Sequence, residues 1–216
     1  MPHTINDMTN LHKISVLFLL VSGILFAGCG RRNEPVGEAG GIVSVHPDVL
    51  QERQMKDAFF KSASSPLPAG EIQKFKGLDY YPVNPDLRFE VHLERYSRPK
   101  AIRMATNTGE IRSGLLYGFF EFTVDDHTCR VQVYRLEEAF SKPELFIPFL
   151  DGTSGTETYE GGRYLDLTEN TSGIYELDFN RAYNPYGAYN PEYSCPAPPE
   201  ENTLAASIRA GEKKYQ

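Results

Sequence analysis

The stretch Arg88-Phe89-Glu90-Val91-His92-Leu93-Glu94-Arg95-Tyr96 decides the fold class. Phe89, Val91 and Leu93 alternate with Arg88, Glu90, His92 and Glu94, and a period of two belongs to a strand with one dry and one wet face. Downstream the pattern repeats. Residues 101–106 form a short strand candidate and Thr108-Gly109 a turn. Residues 111–124 form a longer strand or a pair of strands, with Phe120, Phe122 and Val124 on one parity. Asp125, Asp126 and His127 read as a hairpin loop leading into residues 128–136. Strands at hairpin spacing imply an antiparallel sheet, because a parallel one needs helical crossovers between its strands. Neither a P-loop nor a dinucleotide fingerprint is present, and no cofactor is expected. The expected class is mainly β, an antiparallel barrel or sandwich with an N-terminal helix and long ordered C-terminal loops.

The helix is placed upstream. Asp48 follows Pro47 as an N-cap candidate, and the run to about Ser62 lacks Gly and Pro, with Val49, Met55, Phe59 and Phe60 at roughly helical spacing. Ser64-Ser65-Pro66-Leu67-Pro68 breaks it, and residues 71–75 suggest a short second helix ending at Gly77. Residues 144–199 differ in texture. Their dense Gly, Pro, Asn and Tyr predict ordered loops, with one strand candidate at residues 174–179. No fixed-period repeat points to a solenoid or propeller.

At the other end, Lys13, an apolar run over residues 14–26, and then Ala27, Gly28 and Cys29 follow the order of a secretory signal. About 13 apolar residues, roughly 20 Å of helix, fall short of the roughly 20 residues a bilayer span requires. Leu25-Phe26-Ala27-Gly28-Cys29 resembles a bacterial lipobox, so residues 1–28 are expected to be a lipoprotein signal peptide. Residues 29–46 would then be the lipidated Cys29 and a flexible tether, and residues 47–216 a single β domain. The expected location is the cell envelope, lipid-anchored through Cys29, and the outer membrane if the organism is diderm. Removing the leader leaves Cys129, in a buried-strand pattern, and Cys195, in a Pro-rich stretch. Two thiols without neighbouring ligands do not make a zinc site, and two unpaired thiols are favoured over a disulfide.

Composition sets outer bounds. The chain has 216 residues, is 40% hydrophobic and 24% charged, and carries a formal charge of −7, which excludes disorder throughout and disfavours a broad basic surface for nucleic acid. Thirteen Tyr and thirteen Phe can fill a core without Trp, while 18 Gly and 15 Pro favour turns over a helical bundle.

Several segments together resemble the domain of unknown function 1684 family. They are Ser65-Pro66-Leu67-Pro68, Phe75-Lys76-Gly77-Leu78-Asp79-Tyr80-Tyr81-Pro82, Leu145-Phe146-Ile147-Pro148-Phe149, Glu157-Thr158-Tyr159-Glu160-Gly161-Gly162-Arg163-Tyr164-Leu165-Asp166 and Asp178-Phe179-Asn180. Ala182-Tyr183-Asn184-Pro185-Tyr186, Ser194-Cys195-Pro196-Ala197-Pro198-Pro199 with Glu201-Asn202, and Ile208-Arg209-Ala210-Gly211-Glu212-Lys213 complete the likeness. The resemblance implies bacterial, often exported or lipid-anchored proteins without an established activity, so no catalytic residue follows from it. Gly187 stands where the family pattern suggests a cysteine, eight positions before Cys195.

The residues themselves offer three chemistries. Asp151, Ser154 and Glu157 among glycines and hydroxyls suit either weak Ca²⁺ ligation or a hydrogen-bonded turn set, and the turn set is favoured. Glu157, Glu160, Asp166 and Asp178 contain the paired carboxylates that hydrolysis of an envelope glycan or ester would need. Arg163 after Gly161-Gly162 could grip an anion, or pair internally with Asp166 or Asp178. The leading expectation is a non-enzymatic binding surface of Arg163, Tyr164, Asn180, Tyr183, Asn184 and Tyr186, with Tyr159 and Tyr189 nearby. It would face a small polar ligand, a glycan or an envelope protein, because phenol rings give apolar faces while amide and guanidinium groups orient polar partners. His92 and His127 are expected at the surface, without a catalytic triad. For the anchor, the expected result is that Cys29→Ala abolishes metabolic acyl labelling and leaves the leader attached; unchanged labelling of the variant would refute the lipobox reading.

Overall fold

The computed structural model describes residues 47–137 and 144–215. The expected signal peptide, Cys29 and the expected tether lie outside the described residues. The helix α1 (Pro47–Phe60) and a single turn α2 (Ala69–Ile72) precede seven strands: β1 (Arg88–His92), β2 (Glu94–Ala105), β3 (Ile111–Val124), β4 (His127–Leu136), β5 (Glu144–Phe149), β6 (Arg163–Thr168) and β7 (Ile174–Asp178). Strands β2-β3-β4-β5-β6 form an antiparallel meander, and β1 pairs with β7 in a second, two-stranded sheet. The sheets are not closed into a barrel, and the architecture is sandwich-like. Among the described residues no helix is long and apolar enough to cross a membrane.

The alternation around Val91 identifies strand correctly, but the chain breaks at Leu93 and enters the other sheet at Glu94. The second helix sits at Ala69–Ile72, slightly earlier than the sequence suggests. Residues 111–124 form one strand, whose register slips between Leu116 and Gly118. The slip lets Leu116 face one side of the sheet while Phe120, Phe122 and Val124 face the other. Asp125 and Asp126 both have positive φ, 47° and 63°, the backbone sign that a tight two-residue hairpin requires and that Asp tolerates better than most residues.

Two further strands, β5 and β6, occupy the region read from sequence as loop, and this corrects that reading. Leu145, Phe146, Ile147, Pro148 and Phe149 form a continuous buried run rather than an alternating one, because both faces of β5 are covered. One face joins the main core, where rings link the two sheets: Phe89 and Phe122 lie 5.1 Å apart, Phe122 and Phe179 5.3 Å, and Phe149 and Phe179 5.3 Å. The other face carries Met104, Tyr134, Phe146 and Tyr164, against which Tyr183 and Cys195 pack. Cys129 is buried on β4 and Cys195 is half-buried; both are free thiols, and burial pushes both thiol pKa values up.

Strands β4 and β5 share a single register pair, Tyr134 with Phe146. The side chain of Asn202 bridges the gap. Its Oδ1 accepts from the Gln132 amide at 2.6 Å, and its Nδ2 donates to the carbonyls of Gln132 and Pro148 at 3.0 and 2.7 Å. A fully buried primary amide thus substitutes for a missing stretch of ladder, presenting one acceptor and two donors as a peptide edge would. Asn202→Ala orphans these buried backbone groups and is expected to cost about 3 kcal/mol in a urea unfolding titration, with circular dichroism as readout; a loss below about 1 kcal/mol would show that water replaces the amide.

Candidate functional site

Of the six residues singled out by sequence, Arg163 and Asn184 bond to one element, the C-terminal segment from Ile208 to Lys214, and the other four have different partners. Arg163 begins β6 and is fully buried, 1% exposed. Its guanidinium donates to the carbonyls of Ile208 at 2.8 Å, Glu212 at 3.2 Å and Ala210, and lies 3.5 Å from the Asp151 carboxylate. Burial pulls its pKa below the ordinary guanidinium value, and neighbouring Asp151 works against that pull. Its acidic partner is therefore Asp151, and neither Asp166 nor Asp178. The two preceding glycines have a packing reason. Gly162 adopts φ +83°, and a Cβ there would stand 2.6 Å from the Phe149 carbonyl and 2.6 Å from the Pro198 ring.

Asp151 completes the frame. Its carboxylate accepts from the Thr153 and Ser154 hydroxyls and from the Ile208 amide at 2.6 Å, so this loop is a hydrogen-bonded turn set. Tyr164 is buried, donates to the Pro196 carbonyl and exchanges backbone bonds with Tyr183 at 2.9 and 3.0 Å. Asn180 is buried and joins the 180 turn to Asn84, accepting from the Asn84 amide and donating to its carbonyl, both at 2.8 Å. Asn184 is buried and donates through Nδ2 to the Lys213 carbonyl at 2.8 Å. Tyr186 is 39% exposed and stacks edge-on against Tyr193. Tyr159 is half-buried and Tyr189 buried. The expected surface is thus largely interior: of the six, Tyr186 is the exposed one, and Asn180 and Tyr183 line a cavity.

That cavity, of about 140 Å³, lies between α1, the 180 turn and the C-terminal segment. Residues that the sequence reading did not single out dominate it: Arg53 and Lys56 from α1, Tyr80, and Glu212. Glu212 is 1% exposed and accepts from Lys56 Nζ at 2.5 Å, the Asn184 amide at 2.8 Å, the Tyr189 hydroxyl at 2.5 Å and, at 3.5 Å, the Tyr80 hydroxyl. Burial and the Glu212 charge raise the pKa of both tyrosines, which keeps their hydroxyls protonated as donors. Lys56 also lies 4.9 Å over the Tyr183 ring. Arg53 donates to the carbonyls of Tyr81 at 2.9 Å and Asn180 at 3.2 Å and sits 4.5 Å over the Tyr80 ring. Its buried Nε has no hydrogen-bond partner among the described residues.

Helical spacing brings these cations inward. Val49, Arg53, Lys56 and Phe60 fall at i, i+4, i+7 and i+11, one face of α1, with buried Val49 and Phe60 at its ends. Met55, 65% exposed, and Phe59 lie outside, contrary to the apolar spacing read from sequence.

The four acids considered for hydrolysis are held separately. Glu157 takes the Arg209 guanidinium at 2.8 and 3.1 Å and the Tyr81 hydroxyl at 3.1 Å, and Arg209 beside it holds its carboxyl below the usual range. Glu160 pairs with Lys214 at 3.2 Å, Asp166 accepts from Tyr183, and Asp178 caps the Asn180 turn. His92 and His127 are exposed, as the strand pattern and hairpin tip imply.

Arg163→Met strands the Asp151 charge and three carbonyls in the interior. It is expected to destabilise the domain by about 4 kcal/mol in thermal or urea unfolding, with part of the loss recovered by adding Asp151→Asn. A neutral single variant would mean that the C-terminal segment is held by other contacts.

No curated protein matches the chain. Among solved structures, an uncharacterized protein of Haloarcula marismortui, determined by solution NMR, is 33% identical, with a TM-score of 0.61, and the match covers 77% of this chain and 92% of that one. A family model described as protein of unknown function (DUF1684) matches residues 73–213, the span that contains both sheets, the Arg163 frame and Glu212. The chain belongs to the DUF1684 family.

Proposed function

We propose that this protein is an envelope-anchored lipoprotein whose β domain is a non-enzymatic binding module. Its ligand is a small polar molecule that presents a carboxylate to the cavity between α1 and the 180 turn. The observation that carries this reading is the Arg53 Nε–H, buried without an acceptor among the described residues, in a side chain that lines the cavity. A buried donor left without a partner costs about 1–3 kcal/mol, and an oxygen ligand would remove that cost. At about 140 Å³ the cavity is smaller than a typical pocket for a drug-sized ligand. It suits the carboxylate end of a molecule, such as an acidic sugar or a peptide side chain, with the remainder lying outside.

The hydrolytic alternative lacks comparable support, since Glu157, Glu160, Asp166 and Asp178 are each engaged by a different partner. The membrane contact rests on Cys29 and the lipobox pattern around it, and nucleic acid is not among the proposed partners.

Succinate titrated into the purified full chain in detergent, at constant ionic strength with chloride as control, is expected to raise the melting temperature progressively. Arg53→Gln is expected to abolish that response, whatever its own starting stability. A melting temperature that does not move with succinate in the unaltered protein overturns the carboxylate reading.

A further inference from the structure

The meander ends at β2, and the outer edge of that strand is only partly covered. The segment Cys195–Ala197 runs antiparallel along it: the Asn107 amide donates to the Cys195 carbonyl at 3.1 Å, the Ala197 amide donates to the Ala105 carbonyl at 2.7 Å, and Thr106 and Pro196 form a bridge. The Thr106 amide, by contrast, points inward, to the Glu110 carbonyl. Alternation along the strand therefore directs the backbone groups of Arg103 and Ala101 outward, in line with those of Ala105 and Asn107. In that register the next residue of the covering segment to meet Arg103 would be Pro199, which has no N–H to donate. Among the described residues the intramolecular ladder stops there, leaving two rungs for another chain.

Beside these rungs lies a groove of about 480 Å³, lined by residues 100–105 of β2, Tyr134, Ala197, Pro198, Pro199 and Glu201. Its apolar lining includes Ile102 and the two prolines over buried Met104 and Tyr134, and Glu201 is engaged by the Tyr134 hydroxyl. The edge is basic. Arg98, Lys100 and Arg103 are exposed and have no ion-pair partner among the described residues, in a chain whose formal charge is −7. Edge lysines, arginines and a proline such as Pro99 discourage a strand from pairing with another copy of itself. A second β2 would set Arg98, Lys100 and Arg103 against their equivalents. An acidic strand meets the opposite condition.

We propose that the outer edge of β2 docks an extended acidic peptide segment of a partner protein. The segment continues the ladder at Arg103 and Ala101 and sets its carboxylates against Arg98, Lys100 and Arg103. Main-chain bonds supply affinity and the charges supply selection, as in other strand-addition complexes. This surface is independent of the α1 cavity, and neither reading depends on the other.

The test uses the full chain in detergent and a capped, fluorescein-labelled peptide of Val and Glu in which glutamates occupy adjacent positions, so that carboxylates stand on both faces of the added strand as Lys100 and Arg103 do on β2, read by fluorescence anisotropy. The expected result is saturable binding, weakened at least about tenfold by the double charge reversal Lys100→Glu/Arg103→Glu. Both sites are exposed, so this variant is expected to retain the unaltered circular dichroism spectrum. Ala101→Pro deletes one outward N–H, leaves the charge unchanged and spares the inward rungs, and it is expected to weaken binding as well. Absence of binding overturns the proposal, as does equal binding of the peptide with Lys in place of Glu. Undiminished binding to Ala101→Pro would reduce the effect to charge attraction and overturn strand addition. Dimerisation of the chain that either variant abolishes would instead assign the edge to a second copy.

Discussion

The buried guanidinium of Arg163 is the constraint on which the candidate site depends. Among the described residues, the tail it holds from Ile208 to Glu212 forms no strand and makes a β-bridge only between Tyr80 and Glu212. Irregular backbone in the interior must still satisfy its carbonyls. Arg163 does this for three of them at once, at alternate residues 208, 210 and 212, because its planar fork presents donors in fixed directions. Removing such a cation from water is costly, and the cost is offset only where an anion and several acceptors converge. Asp151, tied by its second oxygen to the Ile208 amide, supplies the anion and fastens the same tail from the other side.

Once the tail is fixed, the position of Glu212 follows. Gly211 turns with φ +76° in a space where a Cβ would lie 2.5 Å from the Ala182 carbonyl, and the next residue is thereby presented toward α1. A carboxylate at 1% exposure needs a cation and hydrogen bonds, and Lys56, Asn184 and Tyr189 provide them. The consequence runs back along 156 residues to the helix: α1 docks through two cations between two apolar anchors. Arg53 and Lys56 make the helix specific for this position, since a purely apolar face would accept many orientations on the same surface. Arg181, which pairs with Asp48 and Glu52 at the helix start, adds a further link on the exposed side.

Strands β1, β3 and β4 were legible because their burial largely alternates, and alternation is a local signal, whereas β2, exposed over most of Glu94–Ala105, was read only in part, at residues 101–106. The fate of α1 was not. Met55 and Phe59 look like core on hydropathy, whereas Arg53 and Lys56 look like surface. What inverts them is a carboxylate at the far end of the chain, which no window of the helix contains. Strand β5 was hidden for a related reason. Burial on both faces removes the period of two, and Pro148 reads as a breaker, although its carbonyl is satisfied by Asn202 and its missing N–H falls where the ladder between β4 and β5 is thin. At Arg163 the sequence showed the cluster without its direction. Gly161-Gly162-Arg163 does mark a close approach, but the group approached is the protein's own backbone.

Satisfied and unsatisfied valences then separate frame from site. Four buried side-chain atoms have no hydrogen-bond partner among the described residues: Arg53 Nε, Arg163 Nε, Asp178 Oδ2 and Asn184 Oδ1. Arg163, Asp178 and Asn184 are at most 2% exposed and do not line the α1 cavity, so a ligand there cannot reach them without moving the frame. Arg53 does line it, and it sits on the helix whose neighbours are half-open to solvent. The same reasoning applies to the backbone. Along β2 the chain completes the rungs at Asn107 and Ala105 itself, then places prolines where the following ones would form. A donor without an acceptor and a ladder that stops early are both departures from a rule that the domain otherwise follows closely. They occur on different elements, the first on α1 and the second on β2. A domain that satisfies three carbonyls with one arginine and repairs a sheet with one asparagine leaves such valences open where something else can fill them.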